Sequence, residues 1–503
     1  MKTATLSKFT VLFALSTAAL LAQGDATADH KEMMDKLHIT TPLRPGPAGR
    51  LNADGSTPAN YANYDESKAT ARSPVPPLLV MNDGRRITTP AMWEQHRKEL
   101  FEIFDREFFG RLPDAAKTIK VTWEVTATTQ GMSGNIPTIT RTLVGHVDPT
   151  YYPAIKVDIA ASVTTPANAA GKVPVIIQWG GGGGPARAGG GAAPAGNAAR
   201  GGGPAPAAGN NPPFPNGATS WQQAAISLGW GYGNLNPGSI QADSGANNQL
   251  RQGIIGLINK GEPRKVDDWG ALRAWAWGAG KLIDFFEQDS LVDAKQVAFE
   301  GHSRYGKATL ATLVYEPRVF TGFVSSSGEG GAKLWRHLVG EQVESLAAPS
   351  EYHWMTPNFI KYAGPLTVDD LPADAHQFIA LVAPRPIFTS GGEYVEFNDN
   401  SHPGSRWSGE SWQDTPGTFM ATAGASPVWK LLGKKPLSNA KLGLIFDNVP
   451  DPMKAKMPPP LTPLIDGDIA FRQHDQGHTD APNWSTFIEF CGHYFKSPGL
   501  KKG

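Results

Sequence analysis

Cysteine is almost missing from this chain of 503 residues. Only Cys491 occurs, which excludes an internal disulfide framework and any cysteine-cluster metal site. Net charge is missing too, because 46 Lys and Arg balance 46 Asp and Glu. Nucleic-acid and anionic-membrane binders need a basic excess, so neither partner is expected. No HExxH occurs. His474 and His478 are four apart, but Gly477 and the polar run around it argue against a helix that would align them on a metal. No GxGxxG follows an early strand, and no GxxxxGK followed by Ser or Thr occurs, so neither a dinucleotide nor a phosphate-loop cofactor is expected. Beyond the N-terminus no apolar run is long enough to cross a bilayer, and there is no internal repeat.

What is present is a 40% hydrophobic content, enough for a sizeable core. Lys2 and Lys8, the apolar run Phe9 to Ala22 and the small residues at Ala26-Thr27-Ala28 read as a signal peptide over residues 1–28. The mature chain is then secreted or periplasmic, in a bacterial setting, free of the membrane and a monomer. Residues 29–75, rich in Pro, Ala, Asn and Ser, predict an extended lead-in wrapped on the surface. Residues 76–503 form one catalytic domain, interrupted by a Gly/Ala/Pro-rich insertion over 180–213 whose composition predicts a disordered loop.

Within that domain, Pro90 to Phe109 shows helical spacing, and residues 118–163 alternate as antiparallel strands do. Val173 to Trp179 (VPVIIQW) reads as a buried strand. From Asp268 onward, helices and strands alternate: helix Asp268–Phe286, strand Gln296–Glu300, a helix from about Tyr305, strand Val319–Ser325, helix Ala375–Val382 and strand Pro386–Ser390. Helix Ser426–Leu432, strand Ile469–Arg472 and helix Trp484–Phe495 close the chain. Such alternation predicts a mostly parallel sheet sandwiched by helices.

The sharpest local signal is Gly301-His302-Ser303-Arg304-Tyr305-Gly306-Lys307, set between a strand and a helix. A turn of this kind lifts a serine hydroxyl above the sheet. The serine then needs a base and a group to orient it, in the order Ser, acid, His. His478, in the polar loop after the last strand, is the candidate base, with His474 as its rival. Glu410 is the candidate acid, with Glu329, Asp414 and Asp399 as rivals. Arg304 follows Ser303 directly, so its N–H and guanidinium are candidates to stabilise an oxyanion. Lys307 lies one helical turn past Ser303 and is expected to point to the same mouth.

GHSRYGK resembles the GCSRxGK signature of glucuronoyl esterases, carbohydrate esterase family fifteen. DDWGALRAWAWGAGKLIDFF, SSSGEGGAKLWR, GEQVESL, EYHWMTPNF, LVAPRPIFTSGG, ESWQDTPGTF and HDQGHTDAPNW also look like its bacterial members. The resemblance implies an α/β-hydrolase fold and a serine esterase without cofactor. Its substrates would be esters of 4-O-methyl-glucuronic acid, as in glucuronoxylan or lignin–carbohydrate cross-links. Ser303 is then the nucleophile, Arg304 the oxyanion stabiliser and His478 the base. Lys307, Glu351 and Trp412 match positions that hold the sugar, and Glu344 is a further sugar-contact candidate. Two departures matter. Ser326 stands where fungal members carry their acid, and Glu410 stands where many bacterial members have Asp in a GDxWxDP-like pattern. Two other readings stay open: an acetyl-xylan or pectin methyl esterase, and a carbohydrate-binding homologue with impaired turnover.

Overall fold

The computed structural model describes residues 28–49, 52, 56–69, 71–180, 212–393 and 409–501. The expected signal segment up to residue 27, residues 181–211 of the Gly/Ala/Pro run and residues 394–408, with Asp399, lie outside them.

Nine strands form one sheet in the order β1-β2-β3-β5-β4-β6-β7-β8-β9. They are β1 Val121–Ser133, β2 Ile136–Val147, β3 Asp158–Pro166, β4 Val173–Trp179, β5 Gly231–Leu235, β6 Val292–His302, β7 Thr321–Ser325, β8 Ile387–Gly391 and β9 Ile469–Gln473. The first three are antiparallel neighbours and β3 meets β5 antiparallel, whereas every pairing from β5 through β4 to β9 is parallel. This is the mostly parallel, helix-flanked sheet of an α/β-hydrolase. The side-chain period of two splits the parallel half between two cores. Ile176, Ala298, Phe323 and Phe388 pack on one face, while Val175, Ile177, Val297, Phe299 and Phe471 pack on the other. Both faces are covered, so Val173 to Ile177 of β4 reads as an unbroken apolar run.

The helices used below are α1 Pro90–Phe104, α2 Trp221–Ser227, α3 Ala271–Gln288, α4 Arg304–Tyr315, α5 Gly409–Gln413, α6 Thr415–Ala425 and α7 Trp484–Gly492. α3 packs along α4 and buries Leu272, Trp275 and Leu282. The sequence pattern misses β5, α2 and α6. The last is small, apolar and buried throughout, so it has no stripe for periodicity to find. β6 also runs further than expected and ends on His302.

The lead-in departs from the expectation of an extended surface segment. Residues 28–36 are helical, and Asp29, His30 and Met33 are buried. His30 Nε2 lies 2.7 Å from the Ala347 carbonyl. Further on, Arg44 donates to the carbonyls of Gly364 and Leu366, at 2.7 and 2.6 Å, and Ala62, Tyr64 and Ala69 pack with Val339. Among the described residues no helix is long and apolar enough to cross a membrane.

Candidate active site

β6 ends at His302 and α4 begins at Arg304, so Ser303 alone makes the turn, with φ 60° and ψ −128°. A non-glycine residue held there costs about 1–3 kcal/mol. Its N–H donates to the Ser325 carbonyl at 2.9 Å, and its carbonyl accepts from Gly306 N–H at 2.8 Å. Gly301 permits the close crossing of strand and helix, since a Cβ there would sit 2.1 Å from the Tyr305 carbonyl oxygen. The hydroxyl therefore stands at the carboxyl end of a central parallel strand. The N–H of Arg304, the first residue of α4, has no acceptor within the helix.

His478 arrives from the loop after β9. Its Nδ1 lies 2.9 Å from Glu410 Oε1. Glu410 is fully buried on α5, and its other oxygen accepts from Gly392 N–H at 2.9 Å and from Thr415 Oγ1 at 3.3 Å. Burial by itself would raise its pKa. The hydrogen bond and positive charge of His478 outweigh that and hold it at about 2, so the carboxylate is ionised at neutral pH. A carboxylate on Nδ1 fixes that nitrogen as the donor and leaves Nε2 as the basic one. The His478 ring packs on His302, the residue next to Ser303, with centroids 4.2 Å apart. Ser303 Oγ has no hydrogen-bond partner among the described residues, and such bonds often tighten only when substrate binds.

His474, the rival base, closes the loop instead. Its Nδ1 accepts from Gln476 N–H at 3.1 Å and its Nε2 lies 2.8 Å from the Thr479 carbonyl, so both nitrogens are occupied. The rival acids are also engaged elsewhere. Glu329 does not meet His478: its Oε2 lies 2.9 Å from Lys333 Nζ in the core, and burial, only partly offset by Lys333, raises its pKa to about 8. Asp414 caps α6 by accepting from Gly417 N–H at 3.0 Å, and its Oδ2 lies 2.6 Å from His337 Nδ1.

The sugar-side expectations need two corrections. Lys307 does not project into an open mouth. Its ammonium group is buried, the side chain only 2% exposed, and donates to the Ser327 carbonyl at 2.7 Å and to Glu341 Oε2 at 2.8 Å. Glu344 faces the lead-in, where Arg44 Nε donates to it at 3.0 Å. Glu341, three residues earlier in GEQVESL, is the residue that turns inward. Its N–H donates to the Trp412 carbonyl at 2.8 Å, which ties the Trp412 backbone to the lysine. Trp412 itself is half-buried, beside Val339. Glu351 Oε2 is buried without a partner. Burial and the nearby Glu341 raise that carboxyl to about 8, against the pull of Lys307 and Arg304.

Asp243 carries no motif and was not anticipated. Arg304 Nη1 donates to its Oδ2 at 2.8 Å, while Trp354 Nε1 donates to Oδ1 at 2.6 Å and His353 Nε2 lies 3.0 Å from the same oxygen. Burial opposes ionisation, but these three partners pull the Asp243 pKa well below the usual carboxylate range. The Arg304 side chain stays 37% exposed, beside its own helix N-terminus. Among the described residues no group of three or more His, Cys, Asp or Glu side chains could hold a metal ion.

Residues 264–415 match the family model described as "Glucuronyl esterase, fungi". A solved structure of a carbohydrate esterase family fifteen glucuronoyl esterase from Teredinibacter turnerae T7901 is 34% identical, with a TM-score of 0.74, and the match covers 93% of this chain and 99% of that one. This chain belongs to that family. A glucuronoyl esterase from Solibacter usitatus is 26% identical at TM-score 0.65, over 85% of this chain and 99% of the other. "Carbohydrate esterase MZ0003", from an unknown prokaryotic organism, is 27% identical over 86% of this chain and 92% of its own length. In this glucuronoyl esterase family member, the strained serine, the histidine–glutamate pair and the arginine all stand at the carboxyl edge of the parallel strands, where open α/β sheets take ligands.

Proposed function

We propose that this esterase hydrolyses esters of glucuronic acid and its 4-O-methyl form, as in glucuronoxylan and lignin–carbohydrate cross-links, through an acyl-enzyme on Ser303. The observation that carries this reading is the Glu410–His478 hydrogen bond of 2.9 Å beside the turn that bears Ser303. His478 Nε2 takes the Ser303 proton as Oγ attacks the C6 carbonyl. The oxyanion of the tetrahedral intermediate is held by Arg304 N–H and by the guanidinium group that Asp243 orients. His478 then gives its proton to the leaving alcohol, and a water molecule, deprotonated by the same imidazole, releases the acid.

Substrate choice rests on the other wall. Trp412 offers a ring to the sugar face, and Glu351 offers a carboxyl with an unsatisfied oxygen to a ring hydroxyl. Lys307 acts through Glu341, whose carboxylate its ammonium group holds in place at 2.8 Å. The chain is exported as a soluble monomer after removal of residues 1–28, which N-terminal sequencing and light scattering check. Rates on benzyl glucuronate, benzyl galacturonate and acetylated xylan test the substrate claim. The glucuronate ester is expected to be preferred, and preference for the acetyl or galacturonate ester overturns it. Failure of a serine-directed phosphonate to label folded protein would overturn turnover itself and favour a binding role.

A further inference from the structure

His302 stands where the family signature has cysteine, and the mechanism above gives it no part. It is the last residue of β6, paired in register with Ser325 on β7, which is paired with Ser390 on β8. Its Nδ1 lies 3.1 Å from Ser325 Oγ, and Ser390 Oγ donates to Ser325 Oγ over a long 3.5 Å. Three adjacent strand ends thus form a row that fixes the plane of the imidazole. Its Nε2 is buried with no partner. The ring lies 4.2 Å from the ring of His478, tilted by 46°.

We propose that His302 is a positioning residue for the base: an uncharged aromatic wall, held by Ser325, against which the His478 ring is set with Nε2 directed to Ser303. The proposal rests on the serine–histidine reading above. Glu410 anchors only one edge of the His478 ring, and a single hydrogen bond leaves rotation about that edge free. A second ring packed against it, tilted by 46°, restricts that freedom. The face must also stay neutral while His478 becomes an imidazolium during turnover. Burial first, and then the positive charge of His478 and of His474, lower the His302 pKa to about 4, against the opposing carboxylates of Asp480 and Glu410. An uncharged π face beside a transient cation is attractive, whereas a second cation would repel it.

The test compares wild type with His302→Ala, His302→Phe, Ser325→Ala and Ser303→Ala, each checked for a cooperative thermal transition. Phe keeps the flat neutral face but not the bond to Ser325, and Ala keeps neither. His302→Ala is expected to lower kcat on benzyl glucuronate about 30–100-fold with KM changed less than about threefold, the scale of a misplaced catalytic group. His302→Phe is expected to recover kcat to within about fivefold of wild type, and Ser325→Ala to lose about three- to tenfold. The acid limb of the kcat/KM profile should stay in place for His302→Phe. If His302→Phe is no better than His302→Ala, or if His302→Ala matches wild type while Ser303→Ala is inactive, the wall is refuted. Should His302→Ala not fold, a fully active Ser325→Ala together with an inactive His302→Phe refutes it equally. An active Ser303→Ala would instead sink the serine reading on which the proposal stands.

Discussion

Two histidine–carboxylate pairs hang from one short stretch of this chain, and they have opposite characters. Glu410 and Asp414 are one helical turn apart, joined by a backbone hydrogen bond of 2.9 Å. Glu410 holds His478, whereas Asp414 holds His337. His337 is buried, 1% exposed, and its second nitrogen lies 2.9 Å from Glu66 of the lead-in. Burial alone would discharge it, but the two carboxylates outweigh burial and raise its pKa to about 9. It is a fixed cation stitching the lead-in to the cap of α6. His478 is 26% exposed and has one carboxylate only, so its other nitrogen is open to take a proton. A buried acid beside a histidine therefore does not make a catalytic pair; the state of the second nitrogen does.

The largest effect should separate the two acids. Glu410→Gln is expected to lower kcat about a thousandfold or more, as loss of the orienting charge does in related triads. Asp414→Asn should leave kcat of the folded enzyme within about threefold, but lower the unfolding free energy by about 2–4 kcal/mol, because it takes from the buried His337 cation the nearer of its two carboxylates. Steady-state kinetics and denaturant unfolding on both variants check this, and equal losses of kcat would erase the contrast.

His337 supplies a pH signature. Its folded pKa of about 9 lies above the ordinary 6.5, so its contribution is full below about 6.5 and disappears as pH rises through about 9. The size is of order 2–3 kcal/mol. The stability gap between wild type and His337→Gln, measured by urea unfolding, should close between about pH 6 and pH 10. A gap that widens with pH contradicts the doubly held cation.

Smaller effects sharpen the site boundary. Glu329→Gln should change kcat by less than about fivefold, since Glu329 serves Lys333 rather than His478. Glu344→Ala, which leaves Arg44 held by backbone carbonyls alone, should cost at most about 1 kcal/mol and leave KM within about twofold. A large rise in KM would return Glu344 to the sugar wall.

How much of this was legible follows from what each feature depends on. The parallel half of the sheet was readable because a strand buried on both faces is a continuous apolar run and amphipathic helices leave a stripe. β5, with two glycines in five residues, and the small-residue helix α6 leave neither trace. The serine turn was readable because its strain demands a local pattern. The choice of Glu410 rests on chain order and on its match to the family's GDxWxDP-like pattern. Asp243 and Glu341 were invisible, because their roles are set by which cations the fold brings to them. The same cause misdirected Lys307: helical spacing gave its direction, but not the carboxylate that had already claimed it.

The central claim is that His478 makes Ser303 a nucleophile. Its most direct test is the rate and site of labelling by a serine-directed phosphonate, with the adduct located by peptide mass spectrometry. One adduct is expected, on Ser303, formed at least about a thousandfold more slowly in His478→Ala. An adduct on another residue, or an unchanged rate in His478→Ala, would contradict it.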